Sequence, residues 1–194
     1  MINNTQELPV MIKDRLKIQN TKKILFLLFY YILARHLPES YSFIFGRFSK
    51  QIRYFCCKNI FFHCGHNVNI ERKASFGCGF DVEIGDNSGI GIKCVVPSDI
   101  KIGNDVMMGP EVYILHKNHN FQRLDIPMMI QGDQANKTTT IEDDVWIGRQ
   151  VIFTPGRLVK KGTIIAAGTV LCKDFEEYSI VGGNPSKFIR SRKG

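Results

Sequence analysis

Two histidines three residues apart stand in the stretch Gly109-Pro110-Glu111-Val112-Tyr113-Ile114-Leu115-His116-Lys117-Asn118-His119-Asn120-Phe121. An imidazole titrates near neutral pH, so either one could take a proton from a hydroxyl whose oxygen attacks an electrophile. Chemistry alone does not choose between His116 and His119. The only tryptophan, Trp146, follows in Ile141-Glu142-Asp143-Asp144-Val145-Trp146-Ile147-Gly148. It could pack on the body of the protein or flank a ligand. The chain closes on Val181-Gly182-Gly183-Asn184-Pro185-Ser186-Lys187-Phe188-Ile189-Arg190, which carries basic groups suited to an anion.

The scaffold that must position these groups is written in a period of six. One run of apolar residues reads Ile84, Ile90, Val96, Ile102, Met108 and Ile114; a second reads Ile141, Ile147, Phe153, Val159, Ile165 and Leu171. Four residues after most of these comes a small or β-branched side chain, such as Cys94, Val106, Val145 or Thr163. Glycine often follows the apolar residue directly, as in Ile84-Gly85 and Ile147-Gly148, which suits a corner that a side chain would obstruct. Helical solenoids repeat over roughly thirty residues or more, and sandwiches alternate strands with hairpins. Six residues per side and three sides per coil instead predict an all-β chain: a triangular parallel β-helix with a continuous aliphatic core. An earlier register, Ile70, Phe76 and Val82, is offset by two from the Ile84 run, which predicts an irregular corner near Asp81 to Glu83. From Ile114 to Ile141 the interval is 27, not a multiple of six, and predicts an extruded loop over 116–140.

The remainder brackets this body. Residues 1 to about 20 lack a clear period and predict a weakly ordered or weakly helical tail. Ile24 to Leu33 is apolar but much shorter than the ~20 residues that span a bilayer. It predicts a helix ended by Leu37-Pro38, packed on the body or a neighbouring subunit, or lying on a membrane surface with help from Lys22, Lys23 and Arg35. Tyr41 to Phe62 predicts a second helix. The resulting divisions are a tail and helical cap at 1–60, a coil body at 61–180, and a basic segment at 181–194. The net charge of +8 calls for an anionic partner, yet no nucleic-acid motif or aromatic interleaving accompanies it, so nucleic acid is not expected. Cys56, Cys57, Cys64, Cys78, Cys94 and Cys172 show no disulfide framework and no signal peptide opens the chain, which points to a reducing cytoplasm.

The hexad pattern resembles the [LIV]-[GAED]-x-x-[STAV]-x signature of the hexapeptide-repeat acyltransferases, and that resemblance implies a left-handed coil. The His stretch, the Val-Trp-Ile-Gly run and the Gly-Asn-Pro-Ser-Lys terminus are similar to those of the maltose and galactoside O-acetyltransferases. By this resemblance the essential His follows the Gly109-Pro110 corner at the position of His119, while the family's next residue, Pro, is Asn120 here; His116 therefore stays second. The resemblance further implies acetyl-CoA as cosubstrate and no metal. Trp146 would flank the pantetheine arm, Arg149, Ala167, Cys172 and Lys173 would line the groove, and Lys187 and Arg190 would meet the phosphates. Relatives often have Thr where Cys172 stands. Asn87, in Gly85-Asp86-Asn87-Ser88, would contact the acceptor, and Arg123 and Asp125 follow His119 within reach of a sugar.

Family members are trimers with sites between coils, so a homotrimer sharing His119 and Trp146 across subunits is expected. The helical cap with Ala34-Arg35-His36-Leu37-Pro38 looks like that of bacterial polysaccharide and capsule acetyltransferases. It implies a sugar or surface-glycan acceptor, handled in the cytoplasm or at the inner face of the membrane. The alternatives are N-acetylation of an amino sugar, a γ-class carbonic anhydrase on the same coil, and a non-catalytic β-helix. The histidines are not distributed along the coils as the second of these requires.

Overall fold

The structure, a computed structural model, describes residues 10–194, with side-chain surroundings from residue 20. Of the tail expected over 1–20, residues 1–9 lie outside the described residues, whereas Val10 onward already belongs to helix α1, Val10–Ile32. No Gly or Pro interrupts that stretch. A short 3₁₀ turn, Ala34–His36, follows, and Leu37 is extended ahead of Pro38, as the proline requires. Helix α2, Gly46–Ile60, is shorter than the expected Tyr41 to Phe62. It buries Ser49, Arg53, Cys56, Cys57 and Ile60, one face at helical spacing. No helix among the described residues is long and apolar enough to cross a membrane.

From His63 the chain winds as stacked parallel coils with three flat faces. The first face stacks His63–Cys64, Glu83–Ile84, Lys101–Ile102, Thr140–Ile141 and Leu158–Val159. The second runs from Asn69–Ile70 beside Gly89–Ile90 through Met107–Met108, Trp146–Ile147 and Ile164–Ile165 to Ser179–Gly182. The third carries Ser75, Val95, Tyr113–Ile114, Ile152–Phe153 and Val170–Leu171. In regular coils the register advances eighteen residues, three hexads, as from Glu83 to Lys101 and from Thr140 to Leu158. The hexad aliphatics face inward, and Ile84, Ile90, Ile141, Ile147 and Phe153 are fully buried or nearly so.

The glycines after the aliphatics are needed for stacking rather than for conformation. A Cβ on Gly148 would stand 2.5 Å from the Ala167 nitrogen in the next coil, and one on Gly85 2.7 Å from the Gly103 carbonyl carbon. The left-handed backbone falls instead two residues further on, where Asn87, Asp144 and Gly162 have φ of 55°, 56° and 69°. The irregular early corner lies at 77–81 rather than at Asp81 to Glu83: Gly77 and Gly79 both take positive φ, and the extra two residues are absorbed there. The coil also outlasts the expected end of the repeat at Leu171 to Phe175. Phe175 still bridges to Val159, Ser179–Gly182 stacks in parallel on Ile164–Ile165, and the basic segment turns back as an antiparallel strand, Lys187–Ser191.

The helical cap closes the other end. In the repeating coils some N–H groups donate forward, as Glu83 to the Ile100 carbonyl, and others back, as Asn87 to the His66 carbonyl, so the first coil has carbonyls and N–H groups with no coil beneath them. The cap supplies the missing donors. Arg53 Nε reaches the Ile70 carbonyl at 2.5 Å, Tyr30 Oη that of Ala74 at 3.0 Å, Tyr31 Oη that of Gly77 at 2.9 Å and Tyr54 Oη that of Gly65 at 3.0 Å. In return Lys73 N–H donates to the Arg35 carbonyl at 2.9 Å. Arg53 is fully buried, and the charge facing it is the Glu71 carboxylate at 3.6 Å. Burial pushes the Glu71 carboxyl up, but hydrogen bonds from the Ser40 and Asn69 side chains and from the Ser40 and Arg72 backbone outweigh it and leave the group below its usual value.

Arg53→Met is expected to destabilise the fold by about 3–5 kcal/mol, because it strands a buried carboxylate and a carbonyl, as read by chemical denaturation. Since the folded Glu71 carboxyl is depressed, its contribution is complete above the ordinary value of 4.5 and is lost as pH falls through the lower folded value. Glu71→Gln should therefore flatten the acid limb of the stability curve.

Candidate active site

The loop between Ile114 and Thr140 leaves the solenoid undisturbed. Lys101–Ile102 stacks directly on Thr140–Ile141 although the register there advances thirty-nine residues, an eighteen-residue coil plus twenty-one looped out. The looped-out chain folds back on itself as an arm. Gln134 N–H donates to the Asn118 carbonyl at 2.8 Å, Asn120 N–H to the Gly132 carbonyl at 2.9 Å, and His119 bridges Asp133 in antiparallel fashion. The Asn120 side chain donates to the carbonyls of Gln131 and Asp133 at 3.1 and 3.0 Å. This arm sets His119 with Nδ1 3.0 Å from Asp133 Oδ1 and its side chain 78% exposed. A carboxylate beside Nδ1 favours the proton there and leaves Nε2 as the free acceptor, the arrangement a general base needs.

His116 occupies the base of the arm and is 38% exposed, with Nδ1 3.4 Å from Asp99 Oδ1. Asp99 is shared, accepting from Thr138 Oγ1 at 2.9 Å and Asn136 Nδ2 at 3.3 Å. His116 faces a cavity of about 300 Å³ lined also by Asn118, Thr154, Arg157 and Cys172. Both histidines thus have an aspartate; only His119 projects from the body.

Trp146 lies on the outer side of the second face, half-exposed, in register with Met107 and Ile164. Ala167 sits at the following corner, its backbone stacked on Gly148. Arg149 shares that corner but is held by Glu111 at 2.9 Å, and these hydrogen bonds hold the Glu111 carboxyl below its usual value. At the next corner the Cys172 N–H donates to Ser186 Oγ at 3.2 Å, and its Sγ lies 3.4 Å from the same oxygen. That hydroxyl lowers the Cys172 thiol pKa. Lys173 lies over the Phe175 ring at 5.3 Å. Ser186 joins the candidate site residues through these contacts; it stands within the Gly-Asn-Pro-Ser motif, but nothing in the sequence marks it as the partner of a cysteine fourteen residues earlier.

The terminal basic residues divide into two kinds. Arg192 pairs with Asp144 at 3.1 Å and Lys193 with Glu177 at 2.7 Å. Lys187 and Arg190, on the antiparallel strand opposite Gly182 and Ile180, have no carboxylate within ion-pair distance among the described residues. The candidate acceptor contacts are more occupied. Asn87 belongs to a corner ladder, accepting from Asn67 at 3.1 Å and donating to Asp105 at 3.0 Å. Arg123 and Asp125 pair with each other on the arm.

Within one chain these groups do not meet at one point. The arm with His119, together with Cys172, leaves the corner after the third face; Trp146 is on the second face; Arg149 and Ala167 turn the corner between the second and third; Asn87 turns the corner between the first and second.

In fold and in sequence the chain resembles the hexapeptide-repeat acyltransferases of the galactoside and maltose O-acetyltransferase kind, and it shares their left-handed β-helix. A provisionally named acetyltransferase of Schizosaccharomyces pombe is 35% identical over 123 residues, 62% of this chain and 58% of that protein. The galactoside O-acetyltransferase of Lactococcus lactis subsp. lactis is 33% identical over 132 residues, 66% of this chain and 62% of that protein. The chain thus spans about three-fifths of the length of these relatives. A hexapeptide-repeat acetyltransferase of Vibrio cholerae O1 biovar eltor, solved with acetyl coenzyme A, superposes with a TM-score of 0.66 at 25% identity, over 91% of this chain and 88% of that one. No protein-family model matches.

The thiol chemistry is directly testable. Burial raises Cys94 to about 11 and pushes Cys57 up as well, whereas Cys172 is lowered by its hydrogen bonds with Ser186. Iodoacetamide at mildly alkaline pH is expected to label Cys172 before either, and Ser186→Ala, which removes the stabilising hydroxyl, should slow that labelling several-fold by peptide mass spectrometry.

Proposed function

We propose that this protein is an acetyl-CoA-dependent O-acetyltransferase that modifies a hydroxyl of a sugar or surface-polysaccharide precursor, with His119 as general base. The observation that carries the reading is His119, exposed on a braced arm with Asp133 Oδ1 3.0 Å from Nδ1, which turns Nε2, unpartnered among the described residues, toward an acceptor. His119 Nε2 takes the acceptor's proton as the hydroxyl oxygen bonds to the thioester carbonyl carbon. Collapse of the tetrahedral intermediate breaks the C–S bond, and the proton passes from His119 to the departing thiolate. A backbone N–H stabilises the oxyanion in between. The galactoside O-acetyltransferase relative and the acetyl-coenzyme-A complex of the Vibrio neighbour support this chemistry.

Lys187 and Arg190, with no carboxylate within ion-pair distance among the described residues, are available to the coenzyme's phosphates, and Trp146, Ala167, Cys172 and Lys173 line its path. Arg149, engaged by Glu111, contributes less. Because His119 and Trp146 lie on different sides of the solenoid, the reading places a complete site between protomers of a homotrimer. Arg123 and Asp125 at the arm meet the acceptor once their mutual pair opens, whereas Asn87 serves the corner ladder first.

The test is thiol release from acetyl-CoA against a panel of sugars and amino sugars. His119→Ala is expected to lower kcat by about 10²–10⁴-fold, and His116→Ala to stay within a few-fold of the parent. Full activity in the His119 variant, or acetylation confined to amines, sinks the assignment. Lys187→Gln with Arg190→Gln should raise KM for acetyl-CoA by about tenfold or more with little change in kcat.

A further inference from the structure

The helical cap carries nearly all of the protein's charge imbalance. Residues 1–60 hold ten Lys and Arg against three Asp and Glu, a net +7, while residues 61–194 hold sixteen against fifteen, a net +1. The coil body is therefore almost neutral and the cap strongly basic. Arg47, Lys50 and Lys58 have no carboxylate partner among the described residues: Lys50 donates to Asn67 Oδ1 at 3.1 Å and Lys58 lies over the Tyr54 ring, while Arg53 alone of the α2 cations reaches a carboxylate.

The same segment leaves large apolar side chains in solvent. Helix α1 is apolar around most of its circumference from Ile24 onward: Tyr30 is buried against the first coil, as is Ala34 in the turn that follows, while Leu25, Leu28 and Ile32 are exposed. The turn into α2 presents Phe43 with its whole surface in solvent, followed by Ile44 and, in the first turn of α2, Phe48. Exposed apolar groups in this number mark a contact surface rather than ordinary surface scatter. Here they alternate with unpaired cations, the pattern of a segment that buries apolar groups at the acyl boundary and holds its cations at headgroup level.

We propose that the cap docks this protein on the surface of an anionic lipid bilayer, with Phe43, Ile44 and Phe48 entering the interface and Arg47 and Lys58 facing the headgroups. Charge argues against a second copy of the chain as the occupant. A contact between two caps brings two charges of +7 together, whereas anionic lipid neutralises both the charge and the apolar exposure at once. A nucleic acid would satisfy the cations and leave the phenylalanines in water. No helix among the described residues can span the bilayer, so the contact lies in the plane of the membrane.

The test is co-sedimentation of the 194-residue chain with vesicles of phosphatidylcholine alone and of an equal mixture with phosphatidylglycerol. Binding to the mixed vesicles is expected to be at least about tenfold tighter, and to weaken with salt. The triple variant Phe43→Ser, Ile44→Ser, Phe48→Ser should lower partitioning by about a hundredfold or more. Arg47→Gln with Lys58→Gln should lower it by about tenfold, on mixed vesicles only. Circular dichroism and thermal unfolding of both variants should match the parent, since these side chains are exposed. Failure of the parent to bind mixed vesicles, equal binding to both compositions, or retained binding by the triple variant overturns the proposal. So does a triple variant whose loss is of oligomer size in light scattering rather than of vesicle binding, which assigns the patch to a subunit contact. None of these readouts depends on acetyl transfer.

Discussion

The backbone hydrogen bonds of the solenoid run along its axis, so each coil is satisfied only by the coils on either side of it. A stack built this way has an open edge wherever it stops, and an open edge over an apolar interior is a template for further pairing. The protein closes its two edges by different means. At the last coil the chain reverses and lays Lys187–Ser191 antiparallel against Ser179–Gly182, so backbone closes backbone. At the first coil, Arg53 and three tyrosines offer side-chain donors to successive carbonyls, while the Arg35 carbonyl takes an N–H that would otherwise have gone to an earlier coil. The second solution needs a buried guanidinium, which is why Glu71 and its own hydrogen-bonding shell accompany it.

That axial constraint also decides where variation is tolerated. A residue inserted into a face would shift every inward side chain, but a residue inserted at a corner shifts nothing provided the next coil resumes in register. The two extra residues at 77–81 and the twenty-one in the arm are both corner insertions after the third face. The positions of Trp146 and Ala167 are thereby tied to the coil spacing, while that of His119 is set by the arm's own bonds. Rigid and adjustable parts of the candidate site are thus separated along the chain.

This separation explains what could be read from the sequence. Inward positions repeat because every coil presents the same environment, so the hexads, the triangular section and the extruded loop were all legible. Corners have no such averaging: the early irregularity was placed a few residues late because Val82 is inward-facing like a hexad aliphatic yet occupies the small-residue slot, four residues' worth of pattern stretched to six. The last partial coil was missed because its strand, Ser179–Gly182, arrives sixteen rather than eighteen residues after its neighbour. Side-chain pairing was least legible of all. Resemblance alone separates Lys187 and Arg190 from Arg192 and Lys193; the physical difference between them lies in the placement of Asp144 and Glu177, which composition does not reveal.

Asn120 shows how such a pairing can change the meaning of a departure from a family pattern. Proline at that position would stiffen the chain after His119 by fixing its own φ, but it could not donate to the Gly132 carbonyl. Asparagine gives up the fixed φ and gains three donors to the returning strand: its N–H to Gly132 and its amide to Gln131 and Asp133. Two of the three acceptors, Gly132 and Asp133, flank or belong to the residue whose carboxylate sits against His119. The physical requirement is that the imidazole keep its place beside Asp133 on an arm otherwise exposed to water. A rigid ring and a clamp of hydrogen bonds are two ways of meeting it, and the clamp has the further property of fixing Asp133 at the same time.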